Sequence, residues 1–302
     1  MKQHHTAVEA AARISGAEVI GSFVGSTSLE FRPGRVVTGT YDFDIGSAGS
    51  TILVFQTLLP ALLSASEPTV LTLRGGTHNP FAPSFEFLER SFLPCLRRIG
   101  VAVHAELVRP GFFPAGGGIL KLRVEPSTRL STFDLLDCGE LSAPVARVLL
   151  SRLRSAWAND GIQILREQLG LAESAVETVS VPDPIGPGNA LLVEYRMETF
   201  SAVFTGIADR RATSGDAARE VCAEALAWRK ASVPVDEHLA DQLLLPLALA
   251  GGGSFRTTAP SGHSRTHADI IHRFLPVRVG FELDSDRTWR VAVEGESRAS
   301  TA

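Results

Sequence analysis

Apolar residues recur along the chain in two rhythms, and each change of rhythm marks an element. Thr6–Ile14 (TAVEAAARI) has helical spacing, with Gly16 placed as a left-handed stop. Thr6 with Glu9 is its one capping-box candidate. No strand precedes this helix, so the chain is expected to start inside a supersecondary unit. Ala17–Phe23, Leu29–Phe31 and Val36–Phe43 then alternate as half-buried strands between Gly, Ser and Pro turns. Next, DFDIGSAGS opens into TILVFQTLLPALLSAS. The small residues Gly46–Ser50 either present backbone N–H groups to an anion at the helix start or simply make a capped turn.

One helical pattern returns. Gln56-Thr57-Leu58-Leu59-Pro60-Ala61-Leu62 resembles Gln242-Leu243-Leu244-Leu245-Pro246-Leu247-Ala248, and Leu93-Pro94-Cys95-Leu96 is a shorter echo. A strand-like segment follows each: Thr69–Leu73, Ser254–Thr258 and Val101–Leu107. Helix-then-strand units of this kind predict an α+β fold of stacked modules, each burying its helices on one face of a small sheet. Leu141–Lys230 has a different texture. There the spacing predicts helices over Val145–Trp157, Gly161–Leu169 and Asp216–Lys230. Strands are expected over Glu177–Val181, Ala190–Met197 and Phe200–Ile207. This stretch reads as an inserted domain, residues 138–233, within a large domain made of 1–137 and 234–302. Trp157 and Trp228 are expected in its core, and the tail after Val293 is expected to fray.

Composition narrows the class of protein. The 302 residues are 44% hydrophobic and 21% charged, which excludes a disordered or solvated tail. Thirty-three acidic against 29 basic residues leave a net charge of -4, so any hold on nucleic acid must come from a local patch. Only Lys2, Lys121 and Lys230 are lysines; the remaining basic residues are arginines, a bias that genome composition explains as well as phosphate binding does. Cys95, Cys138 and Cys222 lie far apart and form no CxxC, which argues against a disulfide framework or zinc ribbon. The apolar stretches are too short or too interrupted to span a membrane, and the first residues hold no signal-peptide core. A cytoplasmic chain is the expectation.

Candidate chemistry gathers late in the chain. APSGHSRTHADIIHRFLPV holds His263, His267 and His272. The i, i+4 pair His263/His267 suits a shared metal, but the Glu of HExxH is missing. The same residues also read as a loop histidine and two surface histidines. A third reading makes His263 a nucleophile toward phosphorus, since a free imidazole is largely neutral at pH 7 and the small Ser261, Gly262 and Ser264 leave room for a phosphate. Glycine runs at RGGTHNP (74–80), RPGFFPAGGG (109–118) and GGGS (251–254) permit close approach of a ligand to main chain, or are turns. The chain carries neither a P-loop nor a Rossmann fingerprint. The pairs Asp42/Asp44 and Asp236/Glu237 are expected to be solvated.

Taken in order, DFDIGSAGST…QTLLPALL, LRGGTHNPFAPSFEF, RPGFFPAGGG, GPGN, HLADQLLLPLALAGGG and the His263 segment ending RFLPVR resemble the RNA 3′-terminal phosphate cyclase family, over about Gln3 to Arg278. The resemblance implies repeated βαβαββ modules with a smaller inserted α/β domain. It implies conversion of RNA 3′-phosphate ends, with ATP, to 2′,3′-cyclic phosphate, AMP and pyrophosphate. His263 stands at the place of the histidine that is adenylylated. Gln56 and the segment His238-Leu239-Ala240-Asp241-Gln242 stand at ATP-contacting places. Family members carry some forty to fifty residues ahead of the point matching Gln3, including a GEGGGQ-like stretch and an RxGRxxPG segment. The chain is therefore expected to be N-terminally truncated, with the ligand for a divalent cation (Mg or Mn) in the missing segment. Asn is usual where His267 stands, and Pro110 takes a place often held by His or Arg. The alternatives are a catalytically inactive, cyclase-like RNA-binding or assembly protein and, more remotely, a carboxyvinyl transferase. Oligomeric state is not legible.

Overall fold

The computed structural model describes residues 1–127, 129–285 and 287–295, and within them the chain forms four sheets. Helix α1 (Lys2–Ser15) ends where Gly16 turns left-handed at φ 57°. It leads to an antiparallel pair, β1 (Glu18–Ile20) and β2 (Glu30–Arg32). Thr6 is not its cap: the helix starts four residues earlier, and the Thr6 hydroxyl donates to the Lys2 carbonyl.

A first complete unit follows: β3 (Thr40–Asp44), α2 (Thr51–Leu62), β4 (Thr69–Gly75), a helical run, β5 (Val103–Arg109) and β6 (Gly118–Val124). The helical run comprises α3 (Phe85–Phe87), a π turn over Leu88–Phe92 and α4 (Leu93–Ile99). The sheet order is β3-β4-β6-β5, with β3 parallel to β4 and the other pairings antiparallel. Alternation along β4 sends Leu71 and Leu73 into the core against Ile52, Phe55 and Leu58 of α2.

The strand β7 (Asp134–Leu135) begins a second unit, which is then interrupted. The interruption holds β8 (Val145–Ser151), a 3₁₀ turn at Ser155–Ala158, α5 (Asn159–Leu169), β9 (Val176–Ser180), β10 (Gly188–Arg196), β11 (Ser201–Ala208) and α6 (Ser214–Ala231). Its sheet runs β11-β10-β8-β9. One face packs Val148, Leu191, Val193 and Phe204 against Leu165 of α5 and Val221, Ala225 and Trp228 of α6. The other face sends Leu149, Ala190, Leu192 and Val203 into the main core. Polar contacts tie that face down: the Arg90 guanidinium donates to Glu194 (2.7 Å), and the Ser91 hydroxyl donates to the Ser201 carbonyl (2.6 Å).

The second unit then resumes with α7 (Glu237–Ala250), β12 (Gly252–Thr257), α8 (Gly262–Phe274), β13 (Val277–Ser285) and β14 (Thr288–Gly295). Its order, β7-β12-β14-β13, and its pattern of one parallel and two antiparallel pairings repeat the first unit strand for strand.

Three expectations need correction here. Val145–Ser151 is a strand, not a helix: the sequence VARVLLS is buried on both faces from Val148 on, so it shows no period-2 alternation and resembles an apolar helix face. Trp157 is 67% exposed rather than in the core, whereas Trp228 is buried as expected. Strand β14 continues past Val293 to Gly295, while residues 296–302 lie outside the described residues. The three cysteines are free. Among the described residues no helix is long and apolar enough to cross a membrane.

Candidate functional site

Helices α2 and α7 are the first helices of the two repeated units, and each carries its glutamine at the sixth helical position with a proline four residues on. Each proline withholds the N–H that would bond the glutamine's own carbonyl. The two glutamines meet: the Gln56 side-chain amide donates to Oε1 of Gln242. This brings together two expected site residues that are 186 positions apart.

Asp236 caps α7, its Oδ1 accepting from the backbone N–H of His238 (2.8 Å) and Leu239 (3.0 Å). Far from being solvated, Asp236 is only 3% exposed; burial raises its pKa, and Oδ2 has no hydrogen-bond partner. Leu239 and Ala240 are buried in the main core, and the Ala240 N–H bonds the Asp236 carbonyl. They anchor the helix, leaving His238, Asp241 and Gln242 as the members of this stretch with side chains outside the core. His238 reaches across to α6, its Nε2 lying 2.9 Å from Glu224 Oε1. That hydrogen bond raises His238 to about 9, against burial, which works to lower it.

Helix α8 packs beside α7. His267 Nδ1 is 3.1 Å from both the carboxylate and the carbonyl of Asp241. Asp241 is the fifth residue of α7 and His267 the sixth of α8, and Val235 bridges Thr257 just ahead of both helices. The two helices therefore start at the same end. His263 is the second residue of α8, exposed at that end, behind the Ser261 cap that accepts from the Ser264 N–H (3.1 Å). His263 and His267 do share a helix face, as their spacing predicts, but Asp241 already engages His267. Among the described residues no group of three or more His, Cys, Asp or Glu converges as a metal-ligand set. The donors present do not fit a protein-held divalent cation.

The glycine-rich segments 74–80 and 109–118 pack against each other. Gly111 O accepts from the N–H groups of Thr77 (2.8 Å) and His78 (3.0 Å), and the Gly111 N–H donates to Thr77 Oγ1 (2.9 Å). A Cβ on Gly111 would come within 2.3 Å of Gly118 N, so only glycine permits this approach. His78 Nε2 lies 2.8 Å from Glu86 Oε2, and its ring stacks on Phe112 with centroids 5.1 Å apart. Burial works to raise Glu86, but its bond to His78 prevails and holds the carboxyl below its usual range. The Gly46–Ser50 turn is held by contacts from three segments. Gly46 N–H bonds Asp44, Ser50 N–H bonds Gln3 Oε1, and Thr51 N–H bonds the Gly76 carbonyl. Ser50 caps α2, its hydroxyl accepting from the Leu53 N–H (3.2 Å).

A second internal correspondence was open to sequence reading and escaped it. Ala82-Pro83-Ser84 and Ala259-Pro260-Ser261 both end in the cap of a unit's second helical run. Glu86 and His263 each stand two residues after that cap. Glu86 is 5% exposed and paired; His263 opens to solvent.

Residues 1–281 match the family model described as RNA 3′-terminal phosphate cyclase. The chain belongs to the RNA 3′-terminal phosphate cyclase family. It is 42% identical to the RNA 3′-terminal phosphate cyclase of Koribacter versatilis, over 100% of this chain and 85% of that protein. It is 43% identical to a protein of the same name from Ectopseudomonas mendocina, over 96% of this chain and 85% of the relative. For the Salmonella enteritidis cyclase the identity is 41%, over 93% and 83%.

Proposed function

We propose that this chain is an RNA 3′-terminal phosphate cyclase that uses ATP and works through a covalent His263–AMP intermediate. The observation that carries the reading is that neighbouring residues of α7 reach two partners, Gln242 to Gln56 of α2 and Asp241 to His267 of α8, one helical turn from the exposed His263. In this reading residues 138–233 form the inserted domain and 1–137 with 234–302 the large one.

An RNA 3′-phosphate is a poor electrophile, because oxide or hydroxide would have to leave. In the first step the free imidazole nitrogen of His263 attacks the α-phosphorus of ATP. The N–P bond forms, the bond to the β-phosphate oxygen breaks and pyrophosphate leaves. Next, an oxygen of the RNA 3′-phosphate attacks the same phosphorus and displaces His263. The neighbouring 2′-hydroxyl then attacks the 3′-phosphorus, AMP leaves and the ring closes. The N-terminus of α8 at His263 favours the negative charge that builds on the α-phosphate. Gln56, Gln242 and His238 would hold the nucleotide, and His267 would fix the carboxylate of Asp241.

Incubation with [α-³²P]ATP and a divalent metal tests this directly. Label that survives denaturation and is absent from His263→Asn is the expected result. Label that persists in His263→Asn, or wild-type protein that takes up none, overturns it. The latter outcome is what a catalytically inactive RNA-binding or assembly member would give.

A further inference from the structure

Trp157 stands 67% exposed in the 3₁₀ turn between β8 and α5. An indole left in water on a structured turn has no role in the fold's own packing. Arg152 and Arg154 precede it, both exposed, and Arg152 holds a left-handed backbone (φ 51°) that arginine adopts reluctantly. Arg210 and Arg211, also exposed, lie in the loop between β11 and α6. The sheet register brings these loops together. Ser151 opposes Gly188 and Asn189 opposes Ala208, so β8 and β11 end at one edge. Gly161, just past the Trp157 turn, packs on Ser214 at the start of α6. Among the described residues none of the four guanidinium groups forms an ion pair.

Against these arginines stand three aspartates on the neighbouring segments, Asp160 and Asp183 with exposed side chains. Asp209 Oδ1 accepts from the Arg211 and Ala212 N–H groups, Asp183 faces Arg109 at 3.7 Å, and Asp160 sits in the first turn of α5. On a chain of net charge -4, the result is a local cationic edge around an exposed aromatic ring. That combination is what a single-stranded nucleic acid requires: π faces for its bases and cations for its phosphates.

We propose that this edge of the inserted sheet is a platform for single-stranded RNA. Trp157 stacks on one base, and Arg152, Arg154, Arg210 and Arg211 hold the flanking phosphates. The proposal rests on the reading of RNA ends as substrate and adds where the body of the strand lies. The platform is joined to the site by α6: ten residues at ~1.5 Å each separate Ser214 from Glu224, the partner of His238, or about 15 Å. A few nucleotides cover that distance.

The test uses a fluorescein-labelled 3′-hydroxyl oligoadenylate of roughly fifteen nucleotides, which cannot be cyclised but is long enough to fill such a platform. Trp157→Ala is expected to weaken its binding about tenfold, and Trp157→Phe to restore most of the loss. Arg152→Ala/Arg154→Ala is expected to reduce the slope of log affinity against log salt by about 1.4. Labelling by [α-³²P]ATP, run on every protein, reports the fold and the adenylylation site separately. If the variants label normally and bind RNA as the wild type does, the platform is overturned, and Trp157 is left to a protein partner. If wild type fails to label while Trp157→Ala still loses RNA, the cyclase reading falls and the platform stands.

Discussion

The two repeated units, β3 to β6 and β7 to β14, share strand order, pairing sense and the glutamine–proline spacing of their first helices. They differ in what they do with the start of the second helical run. In the first unit the residue two past the cap is Glu86, buried and bonded to His78, which itself stacks on Phe112 of the glycine-rich segment. In the second unit the same place belongs to His263, exposed at the shared end of α7 and α8. One helix start welds loops together; its counterpart is left open to solution. The first connection differs too. A short turn, closed by Asp44 and by Gln3 of α1, joins β3 to α2, whereas an entire sheet with two helices separates β7 from α7. A duplicated scaffold thus supplies equivalent positions, and burial decides which becomes structure and which becomes chemistry.

Substitution can break this comparison from either side. The largest effect is expected from His263→Asn: complete loss of denaturation-resistant label, with unfolding in urea shifted by less than about 0.5 kcal/mol because the site is at the surface. The mirror change, Glu86→Ala, is expected to cost about 1–3 kcal/mol of stability, since it leaves Nε2 of the fully buried His78 without its partner. Urea midpoints measure both; equal stabilities would dissolve the distinction. A double-mutant cycle on Gln56→Ala and Gln242→Ala sharpens the point where the units touch. A coupling of about 1 kcal/mol is expected, and strict additivity would deny the bond between them.

The smallest effect concerns pH. His238 is raised to about 9 in the folded state by Glu224, with Asp236 and Glu237 also favouring its charged form. Its contribution is therefore complete below the unfolded value of ~6.5 and disappears as pH rises through about 9. Partial exposure holds it to ~1 kcal/mol or less. Thermal unfolding between pH 7 and 10 should show wild type losing that increment and Glu224→Gln losing less of it.

Where the chain alternates cleanly against one core, its elements were legible: β4, α2, α6 and the Gly16 stop all fall where the pattern puts them. The exception was β8, buried on both faces, where apolar periodicity loses its meaning. The candidate site was half legible. The repeat put Gln56 and Gln242 at matching places and the late histidines offered His263 as one of several readings; only the resemblance to the cyclase family made them site residues. Nothing local announced Glu224 as the partner of His238, or the exposure of Trp157, because each depends on how the inserted sheet seats on the first unit.

By itself the sequence determined the α+β class, the internal repeat and the family, because these rest on residue order and short-range periodicity. Only the tertiary structure decided that Asp236 is buried, that two of the three glycine runs are packed against each other, and that Glu86 and His263 occupy one position with opposite fates. Those outcomes turn on contacts between segments scores of residues apart. Burial there sets the cost of each polar group, and no local pattern records it.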